Sequence, residues 1–243
     1  MTEEALLRSK LDAYNALPGP EGCEPCQDCL GKGQIAVERE GRMALKECHC
    51  AARRRTLARV RRSGLGELYE RCTLDGYRAE TPWQRHLKDN ALDYIRSASG
   101  WFFVCGRSGS GKTHLTAAIA RALILSGMEA RYLMWRQDAP RLKALVNERA
   151  EYERRMNEYA ESQVLLIDDL WKGGNVTDAD INLTFELLNA RYNTPSRLTL
   201  ISSECSAQDI LRIDEAIGGR IIERARGHVL QTEPENLRLS GGA

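Results

Sequence analysis

The feature that most limits what this chain can fold into is the stretch Gly106-Arg107-Ser108-Gly109-Ser110-Gly111-Lys112-Thr113. It lies between an apolar run, WFFVC at 101–105, and a helical pattern at 112–127. Strand, glycine loop and helix in that order are the setting that a G-x-x-x-x-G-K-[ST] loop requires. Small residues let successive backbone N–H groups turn inward around a phosphate, and the helix start aims its positive end at the same anion. In such a loop the lysine, here Lys112, reaches the outer phosphates of a nucleotide, and the hydroxyl of Thr113 ligates Mg2+.

The rest of the pattern suits an α/β fold. Short apolar runs at 101–105, 130–135, 164–167 and 197–202 alternate with helical stretches at 112–127, 138–160, 178–193 and 206–225, and 228–231 can close the set. Apolar strands alternating with helices predict a parallel sheet covered on both faces. Pro82 suits the first position of a further helix, and 64–81 reads as an irregular entry segment.

Directly after the apolar run 164–167 come Asp168 and Asp169. A carboxylate at the C-terminal end of a buried strand beside the phosphate-loop strand can hold Mg2+, and the next acid can orient an attacking water as general base. Asp168 takes the first role in this reading and Asp169 the second.

Upstream of this region the composition changes. Of eight cysteines, five lie between Cys23 and Cys50, among glycines and few apolar residues. Reduced thiols clustered in this way read as a metal site. Cys26-x-x-Cys29 and Cys48-His49-Cys50 make two corners of a tetrahedral zinc site with Cys26, Cys29, Cys48 and Cys50 as ligands. The second corner is tight, so His49 remains an alternative ligand, and Cys23 an alternative to Cys26. Without a metal, residues 21–50 would lack a core. Residues 51–62 then hold six arginines and no acid, an interaction segment or a solvated helix face. No aromatic interrupts those arginines, which argues against base stacking there. A short helix over 1–17, ended by Pro18-Gly19-Pro20, begins the chain. The expected division is 1–63, with helix, zinc module and arginine-rich helix, a module for nucleic-acid binding or partner docking, and 64–243, the nucleotide-binding domain.

Composition excludes several classes. Lys+Arg total 35 against Asp+Glu 34, so net charge says nothing about partners. No apolar run approaches the ~18 residues of a membrane span. The acidic start, MTEEALLRSK, is unlike a secretory signal, so the expectation is a cytoplasmic protein without membrane contact.

Taken together, GRSGSGKT, VLLIDDL, RLTLISSE and GGRIIERA resemble an AAA+ ATPase of the DnaC/IstB helicase-loader family, in its phage and prophage form. The resemblance covers about residues 65–230 and more loosely the cysteine module. It implies a P-loop AAA+ domain with an absent or truncated lid, ATP hydrolysis, self-association into an ATP-dependent oligomer, a hexameric replicative helicase as partner, and single-stranded DNA. It also implies roles for Gly106, Ser108, Gly109, Ser110, Gly111, Lys112 and Thr113 at the nucleotide, a sensor side chain at Ser203 or Glu204, and an arginine finger at Arg220. The plain alternative for Arg220 is that it covers its own helix. Other functions in view are an IstB-type transposition helper on DNA, a zinc-containing ATP-binding DNA adaptor, and a small-molecule kinase, which would need an acceptor pocket and an arginine-bearing lid.

Overall fold

The computed structural model describes residues 2–20, 26–173 and 175–233. The chain divides into two compact units, 1–58 and 59–243.

In the first unit, α1 (Glu3–Ala16) is capped by Thr2, and a hairpin of β1 (Gln34–Arg39) and β2 (Arg42–Glu47) pairs antiparallel. The hairpin lies inside the stretch read from sequence only as a cysteine module. Asn15 ties α1 to β1: its amide donates to Ala36 O at 3.0 Å and accepts from Ala36 N at 2.8 Å, imitating a neighbouring strand. Gly19 admits no side chain, because a Cβ there would lie 2.4 Å from the Gly31 carbonyl carbon. The arginine-rich helix α2 (His49–Ser63) contains the division between the units.

The second unit is a five-stranded sheet in the order β4-β5-β6-β3-β7, every pair parallel. Its strands are β3 (Trp101–Cys105), β4 (Ala130–Met134), β5 (Val164–Leu170), β6 (Leu198–Ser203) and β7 (Val229–Gln231). Alternate residues feed two separate cores. Phe102, Val104, Leu166 and Leu200 join one with Tyr94, Leu115 and Ile119. Trp101, Phe103, Leu165, Ile167 and Ile201 join the other with Leu187, Ile217 and Ile221. Helices supply both layers: α3 (Glu67–Arg71), α4 (Pro82–Ser97) and α5 (Lys112–Leu125) on the first side, α8 (Asp178–Tyr192), α9 (Ala207–Ile213) and α10 (Glu215–Arg224) on the second.

Three expected boundaries shift. The helical stretch 138–160 is α6 (Trp135–Ala144), a 3-10 turn and α7 (Arg149–Ala160); Pro140 within α6 removes a ladder donor. The region 206–225 breaks at Asp214, whose extended backbone and carboxylate, accepting from Ile217 N at 2.7 Å, start α10 afresh. Strand β5 runs on past 167 to include both aspartates, and α3 occupies part of the entry segment.

Arg191, on α8, is fully buried and has no acidic partner among the described residues. Its guanidinium donates to the carbonyls of Tyr159, Ala160, Ser162 and Leu198 and to the Thr199 hydroxyl, closing the ends of α7, β5 and β6 around one cation. Burial is the main cause that lowers its pKa to about 9, with Arg197 adding to it, which leaves it charged at neutral pH.

Candidate nucleotide site and cysteine centre

Strand β3 delivers the chain to Gly106, whose φ of 138° and N–H to Ser203 O at 3.1 Å begin the loop. A Cβ at Gly106 would meet Thr232 Oγ1 at 2.0 Å, so only glycine fits. Gly109 and Gly111 have positive φ, and Gly111 leads into α5. Ser110 is fully buried, and its hydroxyl donates to Arg107 O at 2.8 Å and accepts from Thr232 at 2.8 Å. Its side chain thus braces the loop from behind, leaving its backbone for an anion. Lys112 Nζ donates to the carbonyls of Gly106 and Arg107 at 2.7 and 2.8 Å, spanning the loop's mouth. Burial draws the Lys112 pKa below its usual range, with Asp169, Glu204 and Asp168 pulling it back and Lys172 pushing it further down.

Asp168 is buried, and both of its oxygens are engaged. Oδ1 accepts from the Thr113 hydroxyl at 2.9 Å and the Ser202 hydroxyl at 2.6 Å, and Oδ2 from the Tyr132 hydroxyl at 3.1 Å. A hydroxyl and a carboxylate meeting beside a phosphate loop are hard oxygen donors of the kind Mg2+ takes, so the residues fit that ion. Neighbouring strands make the meeting possible: β5 lies between β4 and β6, with Met134 opposite Asp168 in register.

Past Asp168 the strand distorts. Asp169 and Trp171 take left-handed φ values of 56° and 57°. The Asp169 N–H is held by Ser202 Oγ at 2.9 Å, and the Trp171 indole N–H by Thr184 Oγ1 at 3.0 Å. The twist brings Lys172 Nζ within 2.8 Å of Asp169 Oδ2 and 3.4 Å of Glu204 Oε1. Burial opposes the charge on Lys172, but these two carboxylates outweigh it and hold its pKa up.

Of the two sensor candidates, Ser203 is turned away. Its hydroxyl donates to Leu170 O at 2.7 Å and accepts from Cys205 N at 3.0 Å, closing the β5–β6 edge. Glu204 faces the site through Lys172. Ser202, one position earlier, is the β6 side chain on Asp168; the alternation of a strand puts 202 and 203 on opposite faces.

A cavity of about 540 Å³ opens here. Ser108, Gly109, Gly111, Lys112, Thr113, Tyr132, Asp168, Asp169 and Lys172 line its inner end. Arg71, Cys72, Gly76, Tyr77, Arg78 and His114 line the other. There the Tyr77 and His114 rings meet edge to face at 5.6 Å between centroids, and His114 bonds Thr73 O at 2.8 Å. The entry segment is thus a wall of the cavity.

Arg220 lies on α10, away from the residues lining this cavity. It donates to Ala216 O at 2.9 Å and Asn189 Oδ1 at 3.1 Å, and covers the Phe185 and Tyr192 rings at 4.8 and 5.3 Å. Within one chain it covers its own helix and α8. Arg224 shares that face over Tyr192.

In the N-terminal unit Cys26, Cys29, Cys48 and Cys50 converge, with their sulfurs all within 4.8 Å of one another. Cys26 and Cys48 sulfurs are 3.7 Å apart, and those of Cys29 and Cys50 are 3.3 Å apart. These separations are too long for disulfides and close to the ~3.7 Å edge of a tetrahedron with zinc–sulfur bonds of about 2.3 Å. The four-thiol donor set therefore fits zinc. Burial opposes ionisation of Cys29, but the Gly33 N–H and the neighbouring thiols outweigh it and bring the pKa down to about 6. Cys48, despite a backbone bond at Cys50, is pushed up to about 12 by burial and the other thiols. Arg54 donates to Cys50 Sγ at 3.0 Å, bringing positive charge to the cluster. His49 is exposed, with Nδ1 3.2 Å from Asp28 Oδ2 and 3.7 Å from Cys48 Sγ, so that Asp28, Cys48 and His49 form a second group of possible ligands sharing Cys48. Cys23, the other alternative, lies outside the described residues.

The family model of IstB-like ATP binding proteins matches residues 38–241. The chain belongs to that family. This IstB-like protein is 27% identical over 219 residues to the phage-like element PBSX protein XkdC of Bacillus subtilis (strain 168), covering 84% of this chain and 81% of that one. It is 25% identical over 169 residues to the replicative helicase loader DnaC of Escherichia coli (strain K12), covering 68% of this chain and 67% of the relative. It spans 66% of another Bacillus subtilis relative, the uncharacterized protein YqaM. Among solved structures, the crystal structure of the DnaC helicase loader superposes with a TM-score of 0.56 at 21% identity, over 68% of this chain and 98% of that one. The fold is the α/β P-loop AAA+ fold, as expected. Among the described residues no helix is long and apolar enough to cross a membrane.

Proposed function

We propose that this IstB-like protein is an ATP-hydrolysing loader that uses its nucleotide cycle to place or remodel a hexameric replicative helicase on single-stranded DNA. The reading rests above all on the 2.9 Å contact between the Thr113 hydroxyl and the Asp168 carboxylate beside the buried Lys112. These are the two oxygens and the cation that a nucleoside triphosphate with its metal needs at one point.

Backbone N–H groups of Ser108, Gly109 and Gly111 hold the phosphates, while the Gly106 N–H stays on Ser203 O, and Lys112 turns from its two loop carbonyls to the phosphate oxygens. Thr113 and Asp168 would hold Mg2+, which would supply positive charge against the phosphate oxygens. Tyr132 and Ser202 keep the Asp168 carboxylate oriented through its two oxygens. Asp169 takes the proton of the attacking water. Glu204 takes the sensor position through Lys172, and Ser203, bonded to Leu170 O, is left out of that role. The wall from Arg71 to Arg78 encloses the base end. Arg220, released from its cover of α8, acts on the nucleotide of a neighbouring subunit in an ATP-dependent oligomer. In the N-terminal unit the four thiols would hold zinc, which would stabilise a unit with few apolar residues, and the arginine-rich α2 extends a docking surface.

The helicase itself is suggested by the relatives described as replicative helicase loaders. Retention of the host or phage replicative helicase by the full chain, with and without ATP, tests it. ATP-responsive retention is expected. A protein that turns over ATP but ignores the helicase and assembles on duplex DNA instead would transfer the reading to a transposition helper.

A further inference from the structure

Three carboxylates, Asp168, Asp169 and Glu204, gather at the end of the site where a terminal phosphate would lie. Lys112 reaches the outer phosphates from the loop side, and Thr113 and Asp168 would hold magnesium beside them. A terminal phosphate at this end would still face the carboxylates of Asp169 and Glu204. Lys172 is a further cation set between those two acids. It lines the same cavity as Lys112, Thr113 and Asp169, with its ammonium 2.8 Å from Asp169 and 3.4 Å from Glu204. Its side chain and that of Asp169 are each 23% exposed, so the pair is partly screened from water yet open to the cavity.

The backbone shows that this placement is specified. Two non-glycine residues in the strained left-handed conformation, Asp169 and Trp171, precede Lys172. Both are held: Asp169 by Ser202, Trp171 by Thr184 in the core of the second layer. An ordinary strand end would have continued out of the sheet. The anchored turn instead folds the chain back, with Lys172 N–H bonded to Asp169 O at 3.1 Å, and returns the ammonium to the acid three residues earlier.

We infer that Lys172 is a phosphate-contacting cation that reads the terminal phosphate of a bound nucleoside triphosphate. It exchanges its ion pairs with Asp169 and Glu204 for that phosphate and so frees Asp169 when, and only when, the triphosphate is present. The inference rests on the nucleotide site proposed above. It makes Lys172 a determinant of triphosphate over diphosphate, since a diphosphate ends short of the Asp169–Glu204 pair.

The test is equilibrium binding of Mg·ATPγS and Mg·ADP to the full chain and to Lys172→Met, Lys172→Gln and Lys172→Arg. Wild type binds both nucleotides. Removing the charge, with Met or with Gln as the more soluble replacement, weakens ATPγS binding about tenfold and changes ADP binding less than twofold, as loss of one charge-assisted contact predicts. Arginine restores most of the preference. Equal weakening of both nucleotides would make Lys172 a brace of the turn, and unchanged affinity for both would leave it a surface ion pair; either overturns the inference while the nucleotide site stands. A wild-type protein that binds neither nucleotide overturns the site and the inference together.

Discussion

Lys112 shows how one side chain can decide a site. It is 5% exposed and holds two loop carbonyls, a position bearable for a cation because phosphates are its alternative partners. Lys112→Ala is expected to weaken ATP binding by roughly 100-fold, from the loss of one strong charge-assisted contact; a fluorescent-nucleotide titration measures it. Asp169→Asn is expected to keep ATP affinity and lose hydrolysis by about 10²-fold or more, the usual share of a general base, in a steady-state phosphate-release assay. Persistent turnover would move the base to Glu204. Lys112, Thr113, Asp168 and Asp169 were legible in the sequence because their spacing is local to a loop and a strand end. Tyr132, Ser202 and Lys172 were not. The first two reach Asp168 only through the β4-β5-β6 order, a fact of register between strands far apart in the chain. Lys172 reaches Asp169 through two left-handed residues, Asp169 and Trp171, that no propensity suggests.

At the scale of elements, two assemblies depend on groups that replace an ordinary core. Arg191 joins α7, β5 and β6 by five acceptors, and Arg191→Leu would leave those acceptors unpaired. The expected cost is about 3 kcal/mol or more, read as a lowered denaturation midpoint of the 59–243 unit. A neutral effect would mean that water replaces the guanidinium. Sequence reading missed this residue because an arginine in a helix reads as solvent-facing. The cysteine centre was legible as four ligands because cysteines with few apolar neighbours leave little else to hold a fold. The hairpin between its two corners was not, since QIAVER and RMALKE mix charge with short apolar alternation. Purified protein is expected to carry about one zinc per chain by elemental analysis, and Cys48→Ser to lose it and unfold the 1–58 unit while the nucleotide unit still melts as before.

For the whole molecule the open question is how chains meet. Arg220 packs on Phe185 and Tyr192 of its own chain, so a finger role requires it to leave them for a neighbour. Arg220→Ala is expected to bind ATP as wild type does and to hydrolyse it about 10³-fold more slowly. Mixing it with Lys112→Ala chains should recover part of the activity, and the recovery should fade on dilution; full activity of Arg220→Ala alone would remove the finger. All of this presupposes that the Gly106–Thr113 loop with Asp168 is a magnesium–nucleotide site. Calorimetric titration of Mg·ATP into the full chain, beside Lys112→Ala, tests that claim most directly. The account predicts one ATP bound per wild-type chain and affinity lower by roughly 100-fold in the variant. No binding to wild type, or equal binding to both, would contradict it.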